Sequence, residues 1–178
     1  MRLADVVGQE ASARILMRLA ERSRLPHALL LEGLPGCGRR TLARALSQAL
    51  LCERPQAGDA CGTCTSCRLC VAGNHPDVVE LPDDHDAVSD GWRALYRSAE
   101  GRDPGADVLT GKTLPVCWIR EAVADRASES AQYGRGRCFI IPSAERLYGA
   151  GANALLKVLE EPPGGVRFLL TTANAALV

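Results

Sequence analysis

Apolar residues fall along this chain in two alternating periods, one of helices and one of short buried strands. Residues 9–22 put Ile15, Leu16 and Leu19 on one face, with Arg14, Arg18 and Glu21 elsewhere, which predicts an amphipathic helix. Residues 27–32 are a short apolar run that reads as a buried strand, and the glycine-rich 33–38 as a turn. Residues 39–51 put Leu42, Ala45, Leu46 and Ala49 on one helical face. A cysteine-rich segment, 52–70, comes next, followed by a second strand at 78–81. Residues 82–115 are polar and rich in Gly, Pro and Asp, which predicts an irregular insert with a short helix at 92–99. Then come a helix at 118–130, a strand at 137–141, a helix at 151–161 stopped by Pro162 and Pro163, and a strand at 168–172. Strands alternating with helices predict an α/β fold: a parallel sheet with helices on its faces.

The length, 178 residues, suits one domain or one domain with a small insert. With 47% hydrophobic and 24% charged residues, the chain has the composition of a globular protein rather than a disordered one. Lys plus Arg and Asp plus Glu are both 21, so no global basic excess announces nucleic acid. Any DNA contact would need a local patch or a larger assembly. No apolar run is long enough to span a bilayer, and Met1-Arg2-Leu3-Ala4-Asp5 lacks the order of a secretory signal. The expected compartment is the cytoplasm, where thiols stay reduced, so the eight cysteines call for a reading other than disulfides.

Gly33-Leu34-Pro35-Gly36-Cys37-Gly38-Arg39-Arg40-Thr41 sits between a predicted strand and a predicted helix, where a phosphate loop belongs. Such a loop works because glycines let backbone N–H groups turn toward phosphate at a helix N-terminus. Against the pattern G-x-x-x-x-G-K-[ST], Gly33 and Gly38 fit. Arg39 stands in place of the lysine and Arg40 in place of the Mg²⁺-holding hydroxyl, with Thr41 one residue further on. Arginine still attracts anions, but its planar fork does not replace a compact ammonium. A Gly-rich turn without a ligand is the plainer alternative. The acidic strand end that completes an ATP site would follow Phe139-Ile140-Ile141, yet Pro142 and Ser143 are found there. Metal-assisted phosphoryl transfer needs a carboxylate for Mg²⁺, so the two departures together predict no ATP hydrolysis.

Cys52 is followed by Cys61-x-x-Cys64-x-x-Cys67, bracketed by Gly58 and Gly62. Four thiolates at this spacing suit a closed, structural Zn²⁺ site whose task is to fold its own loop. Cys70 extends the series, and closely spaced cysteines are also an iron–sulfur pattern. Residues 68–72 read as helical, which leaves Cys70 a spare thiol in the zinc reading.

These pieces, in this order, resemble the AAA+ domain of bacterial clamp-loader subunits. Val6-Val7-Gly8-Gln9-Glu10 looks like the family's opening, and His27-Ala28-Leu29-Leu30-Leu31-Glu32-Gly33 like the strand entering its phosphate loop. Cys61, Cys64 and Cys67 match its zinc knuckle. Asn153-Ala154-Leu155-Leu156-Lys157-Val158-Leu159-Glu160-Glu161-Pro162-Pro163 is close to a family signature. Two branches carry the knuckle, the ATP-hydrolysing gamma/tau subunit and delta-prime. Gly73-Asn74-His75-Pro76-Asp77-Val78 and the missing strand-end acid look like delta-prime.

The resemblance implies an AAA+ domain over 1–178, with a zinc-binding insert at 52–70 and an irregular polar insert at 83–115. It implies a non-hydrolysing subunit of the DNA polymerase III clamp loader. Such a subunit has no ATPase of its own but is part of a DNA-directed DNA polymerase holoenzyme. Its partners would be the gamma/tau and delta subunits, and through the complex the sliding clamp and primed DNA. Thr172 falls at the family's sensor-1 position. Asn153, Lys157, Glu160 and Glu161 are candidate subunit contacts. The family's Ser-Arg-Cys motif and its lid and collar domains do not occur within these 178 residues. Two other readings compete: an active gamma/tau-like ATPase, which Pro142 argues against, and an unrelated zinc or iron–sulfur interaction module, which the 153–163 string argues against.

Overall fold

The computed structural model describes residues 1–83, 88–109, 113–133, 135–147 and 149–178. Four strands, β1 (Ala28–Glu32), β2 (Val78–Glu80), β3 (Arg137–Ile141) and β4 (Val166–Thr172), form one parallel sheet in the order β1-β4-β3-β2. The inner strands β3 and β4 are buried nearly throughout, which is why they read as continuous apolar runs. The helices are α1 (Glu10–Glu21), α2 (Arg39–Leu51), α3 (Thr65–Ala72), α4 (Asp90–Glu100), α5 (Ala106–Leu109) and α6 (Gly149–Glu160). A π-helical segment spans Trp118–Asp125.

Side chains alternate across the sheet, so each face has its own core. Phe139, Ile141, Phe168 and Leu170 point to one face, with the two phenyl rings stacked 5.4 Å apart. That face is covered by Tyr96 of α4, Trp118, Ile119 and Val123 of the π segment, and Leu155 of α6. Ile140 and Leu169 point the other way, into Leu16 of α1, Leu42 and Leu46 of α2, and Cys52, Cys64 and Cys67. The cysteine loop is therefore part of the second core. Because all four strands run parallel, their C-terminal ends lie along one rim, where open α/β sheets place their ligands.

Three departures from the sequence reading have physical causes. Ile15 is 59% exposed. The face of α1 turned inward carries Ala13, Leu16, Met17 and Ala20, an i, i+3, i+4, i+7 stripe that leaves Ile15 outside it. The 83–115 insert is not irregular throughout: α4 runs from Asp90 to Glu100, longer than the expected 92–99. It starts after Ser89, stops at Gly101 with φ 68°, buries Tyr96, and sets Trp92 5.2 Å from Trp118. Residues 84–87 and 110–112 of that insert lie outside the described residues. The helix expected at 118–130 takes the wider π form over Trp118–Asp125, a rare conformation that occurs mostly as single-turn bulges within α-helices.

Candidate phosphate loop and metal centre

β1 delivers the chain to Gly33, whose N–H donates to the carbonyl of Thr172 at the end of β4, 3.2 Å away. The loop then turns through Gly36 and Gly38, with φ of 79° and 92°, values that L side chains resist. Gly38 caps α2 with no side-chain hydrogen bond, and the first turn of α2 carries no acidic residue. The N–H groups of a helix's first turn have no partner within the helix, so this end carries the positive end of the helix dipole, which favours an anion. Gln9 Nε2 donates to the carbonyl of Cys37 at 2.8 Å and ties the start of α1 to the loop. Arg39 is partly buried, and its Nη1 has no hydrogen-bond partner among the described residues.

Arg40 behaves differently. Its Nε donates to Glu80 Oε1 at the end of β2, and its Nη1 lies 3.6 Å from Asp83 Oδ2. Arg44, one turn along α2, donates from Nε to Glu80 Oε2 at 2.7 Å. Ser143 joins the group by donating its hydroxyl to Asp83 Oδ1 at 2.9 Å. Its own N–H donates to Thr171 Oγ1 at 3.3 Å, and its φ is 51°. Pro142 directly follows β3 and is buried; its carbonyl accepts from Arg146 Nη2. Thr172 is fully buried beside the loop. Its hydroxyl donates to the carbonyl of Asn174 and accepts from the N–H of Asn174, both at 3.1 Å.

The sulfurs of Cys52, Cys61, Cys64 and Cys67 all lie within 4.8 Å of one another. The Cys52–Cys64 and Cys61–Cys67 pairs are 3.9 and 4.0 Å apart. Four donors around one tetrahedral ion with bonds of about 2.3 Å stand about 3.8 Å apart, so this set could hold a single metal ion. Local geometry assembles it: Gly58 and Gly62 turn the loop at φ 78° and 77°, and Cys64 caps α3 by accepting from the N–H of Cys67. The Cys61 N–H donates to Cys52 Sγ at 3.2 Å. Backbone N–H groups of Thr63 and Cys64 favour the Cys61 thiolate and bring its pKa down to about 6. Burial pushes Cys67 up to about 12 and raises Cys52 as well. Cys70, beyond the four, is pushed up to about 12, chiefly by burial.

The other sequence candidates lie on α6 and just past it, where Asn153, Lys157, Glu160 and Glu161 are all exposed. A groove of 510 Å³ runs between α6 and the π segment, lined in part by Arg120, Ser128, Asn153 and Lys157.

Sequence reasoning did not single out Glu80, Asp83, Asp59 or Ser66. Glu80 lies within the strand predicted at 78–81 and carried only the signal of a charge in an apolar run. Asp59 is buried and accepts from the N–H groups of Leu3 and Ala4, at 2.9 and 3.0 Å, anchoring the N-terminus to the cysteine loop. His75 Nδ1 accepts from the N–H of Asp77 at 3.1 Å. Its Nε2 then carries the proton and faces Ser66 Oγ at 2.9 Å, and Ser66 donates on to the carbonyl of Leu51. Burial lowers the pKa of that ring, against a smaller opposing pull from Asp77.

A parallel sheet, a glycine-rich loop after its first strand and a four-cysteine loop on one face define an α/β domain of the P-loop type. The chain belongs to the family described as "DNA polymerase III, delta subunit", whose model matches residues 8–178. It is 39% identical over 144 residues to the DNA polymerase III subunit delta' of Yersinia pestis, covering 81% of this chain and 35% of the relative. It is 38% identical to the Escherichia coli (strain K12) delta' over 146 residues, 82% of this chain and 36% of that one. The gamma/tau subunit of Mycobacterium bovis is 36% identical over 174 residues, 96% of this chain and 25% of its own. The chain thus spans about a third of the length of these delta' relatives. Among solved structures, a DNA polymerase III gamma subunit-related protein from Thermotoga maritima shares the fold, with a TM-score of 0.52 at 19% identity over 96% of this chain and 41% of that one. No helix among the described residues is long and apolar enough to cross a membrane.

Proposed function

We propose that this chain is the AAA+ part of a delta-prime-like subunit that assists clamp loading in the DNA polymerase III holoenzyme without hydrolysing ATP. The observation that carries the reading is the end of β3. Pro142 and Ser143 stand where a Mg²⁺-holding carboxylate would be needed, and Pro142 spends its carbonyl on Arg146. Arg39 and Arg40 in the loop add a second, independent obstacle to transfer chemistry.

A subunit that does not turn over ATP can still bias its neighbours, because coupling requires only different contacts in two states of an assembly. The exposed Asn153, Lys157, Glu160 and Glu161, together with the rim of the phosphate loop, are the proposed contact surface toward gamma/tau and delta subunits. The sliding clamp and primed DNA would then be reached through the complex, in the cytoplasm. The balanced charge favours this over autonomous DNA binding. Lid and collar domains, where the full protein carries them, would supply the rest of the assembly surface. Cys52, Cys61, Cys64 and Cys67 would hold a structural Zn²⁺, a closed site with no open position for chemistry. The sulfur spacing favours one ion over a polynuclear iron–sulfur cluster, and Cys70 stays outside it.

The test is steady-state phosphate release by the intact protein, combined with co-purification from native extract. Expected are phosphate release no higher than that of an Arg39→Ala control and recovery of gamma/tau and delta subunits. Release above that control would support instead the gamma/tau-like ATPase reading, which the Mycobacterium relative keeps in play. Failure to recover any clamp-loader subunit, or tight binding of primed DNA by this domain alone, would refute the assignment.

A further inference from the structure

We propose that Arg40 is a built-in cation: its guanidinium takes the place of a divalent ion between the phosphate loop and the ends of β2 and β3, so that the rim is metal-independent. The proposal rests on, and deepens, the non-hydrolysing reading of the same loop.

Three observations converge on it. Glu80, Asp83 and the Ser143 hydroxyl form a set of oxygen donors of the kind hard divalent ions take, and they come from two strand ends along one rim. Arg40 sits among them from the first turn of α2, the turn that carries the metal-holding hydroxyl in a hydrolysing loop. The side chains are largely withdrawn from water, at 25% exposure for Arg40, 18% for Glu80 and 17% for Asp83. Two carboxylates that sheltered, both against one guanidinium, need compensating charge. Arg40 supplies it, and Arg44 adds a second positive charge on the other Glu80 oxygen. Among the described residues, the two cations at this rim match the two acids, so the guanidinium stands where a metal ion would otherwise supply the positive charge.

Space does not exclude the metal. A cavity of 230 Å³ beside the cluster is lined by Arg40, Arg44, Glu80, Pro82 and Trp92, among others. What excludes the ion is charge: a divalent cation there would sit against a guanidinium already bonded to its donors. Lysine at this position would still exclude the ion, while a neutral side chain would release Glu80 and Asp83 to bind it. Arg40 thereby sets which ligands the rim accepts, and a nucleotide carrying its own Mg²⁺ is not among them.

The experiment is a Mn²⁺ titration followed by electron paramagnetic resonance on the intact wild-type protein, Arg40→Lys, Arg40→Gln, Glu80→Gln, and Arg40→Gln combined with Glu80→Gln. Folding of each is checked by circular dichroism. Wild type and Arg40→Lys should show only weak surface binding. Arg40→Gln should gain a site for one Mn²⁺, at least about tenfold tighter than that background, and adding Glu80→Gln should remove it. A wild-type Mn²⁺ site that disappears in a Glu80→Gln single variant, or a folded Arg40→Gln protein with no gain, overturns the proposal. Wild type alone gives a second readout, should Arg40→Gln not fold. Its melting temperature should be the same in Mg²⁺ as in KCl of equal ionic strength, and a specific rise with Mg²⁺ overturns the idea. Phosphate release from ATP by wild type would sink the non-hydrolysing reading, whereas the Mn²⁺ titration speaks to Arg40 alone.

Discussion

Asp77 and Arg137 meet inside the protein, with Asp77 Oδ1 3.4 Å from Arg137 Nη2 and exposures of 0% and 2%. Asp77 lies just before β2 and Arg137 opens β3. The pair therefore joins the entrances of two neighbouring strands. The same carboxylate accepts the N–H groups of Gln132 and Tyr133, each at 2.9 Å, and so shapes the loop that feeds β3. Arg137 also reaches Glu129 at 3.1 Å, but that acid is 60% exposed.

Asp77→Ala should therefore be one of the most damaging single changes. It takes the buried countercharge from Arg137, leaving that guanidinium the carbonyls of Arg126 and Ser130 and the exposed Glu129, and it strands two backbone donors; removal of one partner from a buried pair costs about 3–5 kcal/mol. Glu129→Gln should cost less than about 1 kcal/mol, because water screens that partner. Urea denaturation of both variants checks the contrast. Equal losses would show that the buried pair has no special weight.

The four-cysteine loop should depend on its metal, while the sheet holds largely without it. In protein purified without added metal, the expected content is one zinc per chain, and iron with a brown chromophore would point to the cluster alternative. Cys64→Ser or a strong chelator should raise hydrogen exchange across 52–72 and leave β3 and β4 protected. Affinity should fall as pH falls, because burial favours the protonated Cys67 and Cys52 thiols and the ion must displace those protons. Competition with a chromophoric chelator at about pH 6 and about pH 8 measures this.

His75 should add a pH dependence of its own. Its folded pKa is lowered by burial. As pH drops below about 6.5, the unfolded ring takes up a proton that the folded ring resists. Stability is therefore complete above that pH, declines as pH falls toward the folded pKa, and levels off below it. A His75→Asn variant should lose this component, seen as a flatter stability profile between about pH 7 and about pH 5.5 in urea titrations. Parallel profiles would mean that the ring does not report its burial.

Gly136→Ala should be far worse than Gly36→Ala. Both glycines have positive φ, 103° and 79°, so each alanine carries left-handed strain of about 1–2 kcal/mol. A Cβ at Gly136 would also run into the carbonyl of Gly165, which is backbone and has little room to yield. At Gly36 a Cβ meets nothing within 4 Å. Thermal denaturation should show a small shift for the loop variant and a large one at the β3 entrance.

The positions of β1, α2, β3, α6 and the cysteine loop could be read from the chain because each depends on contacts within a few residues. Leu42, Ala45, Leu46 and Ala49 are buried together, as their helical spacing required. Cys61, Cys64 and Cys67 turn back on themselves over six residues, so their spacing already implied that they meet. α4 was harder to read, since Asp90, Gly91 and Arg93 look like loop residues until Trp92, Leu95 and Tyr96 find the core face.

What no local pattern could reveal is which distant groups come together. Arg40 and Glu80 are 40 residues apart, Leu3 and Asp59 are 56, and Arg137 and Asp77 are 60. Each meeting depends on strand order: the chain leaves β1, crosses to the far edge as β2, and returns through β3 to place β4 beside β1. Periodicity reports which face of an element is apolar, not which element covers it. Hence Ile15 could be assigned to a helix but not to its outer side, and Arg40 could be seen in the loop but not with its acids. Electrostatic partners are chosen by through-space distance in a poorly solvated rim, and only the assembled sheet sets that distance.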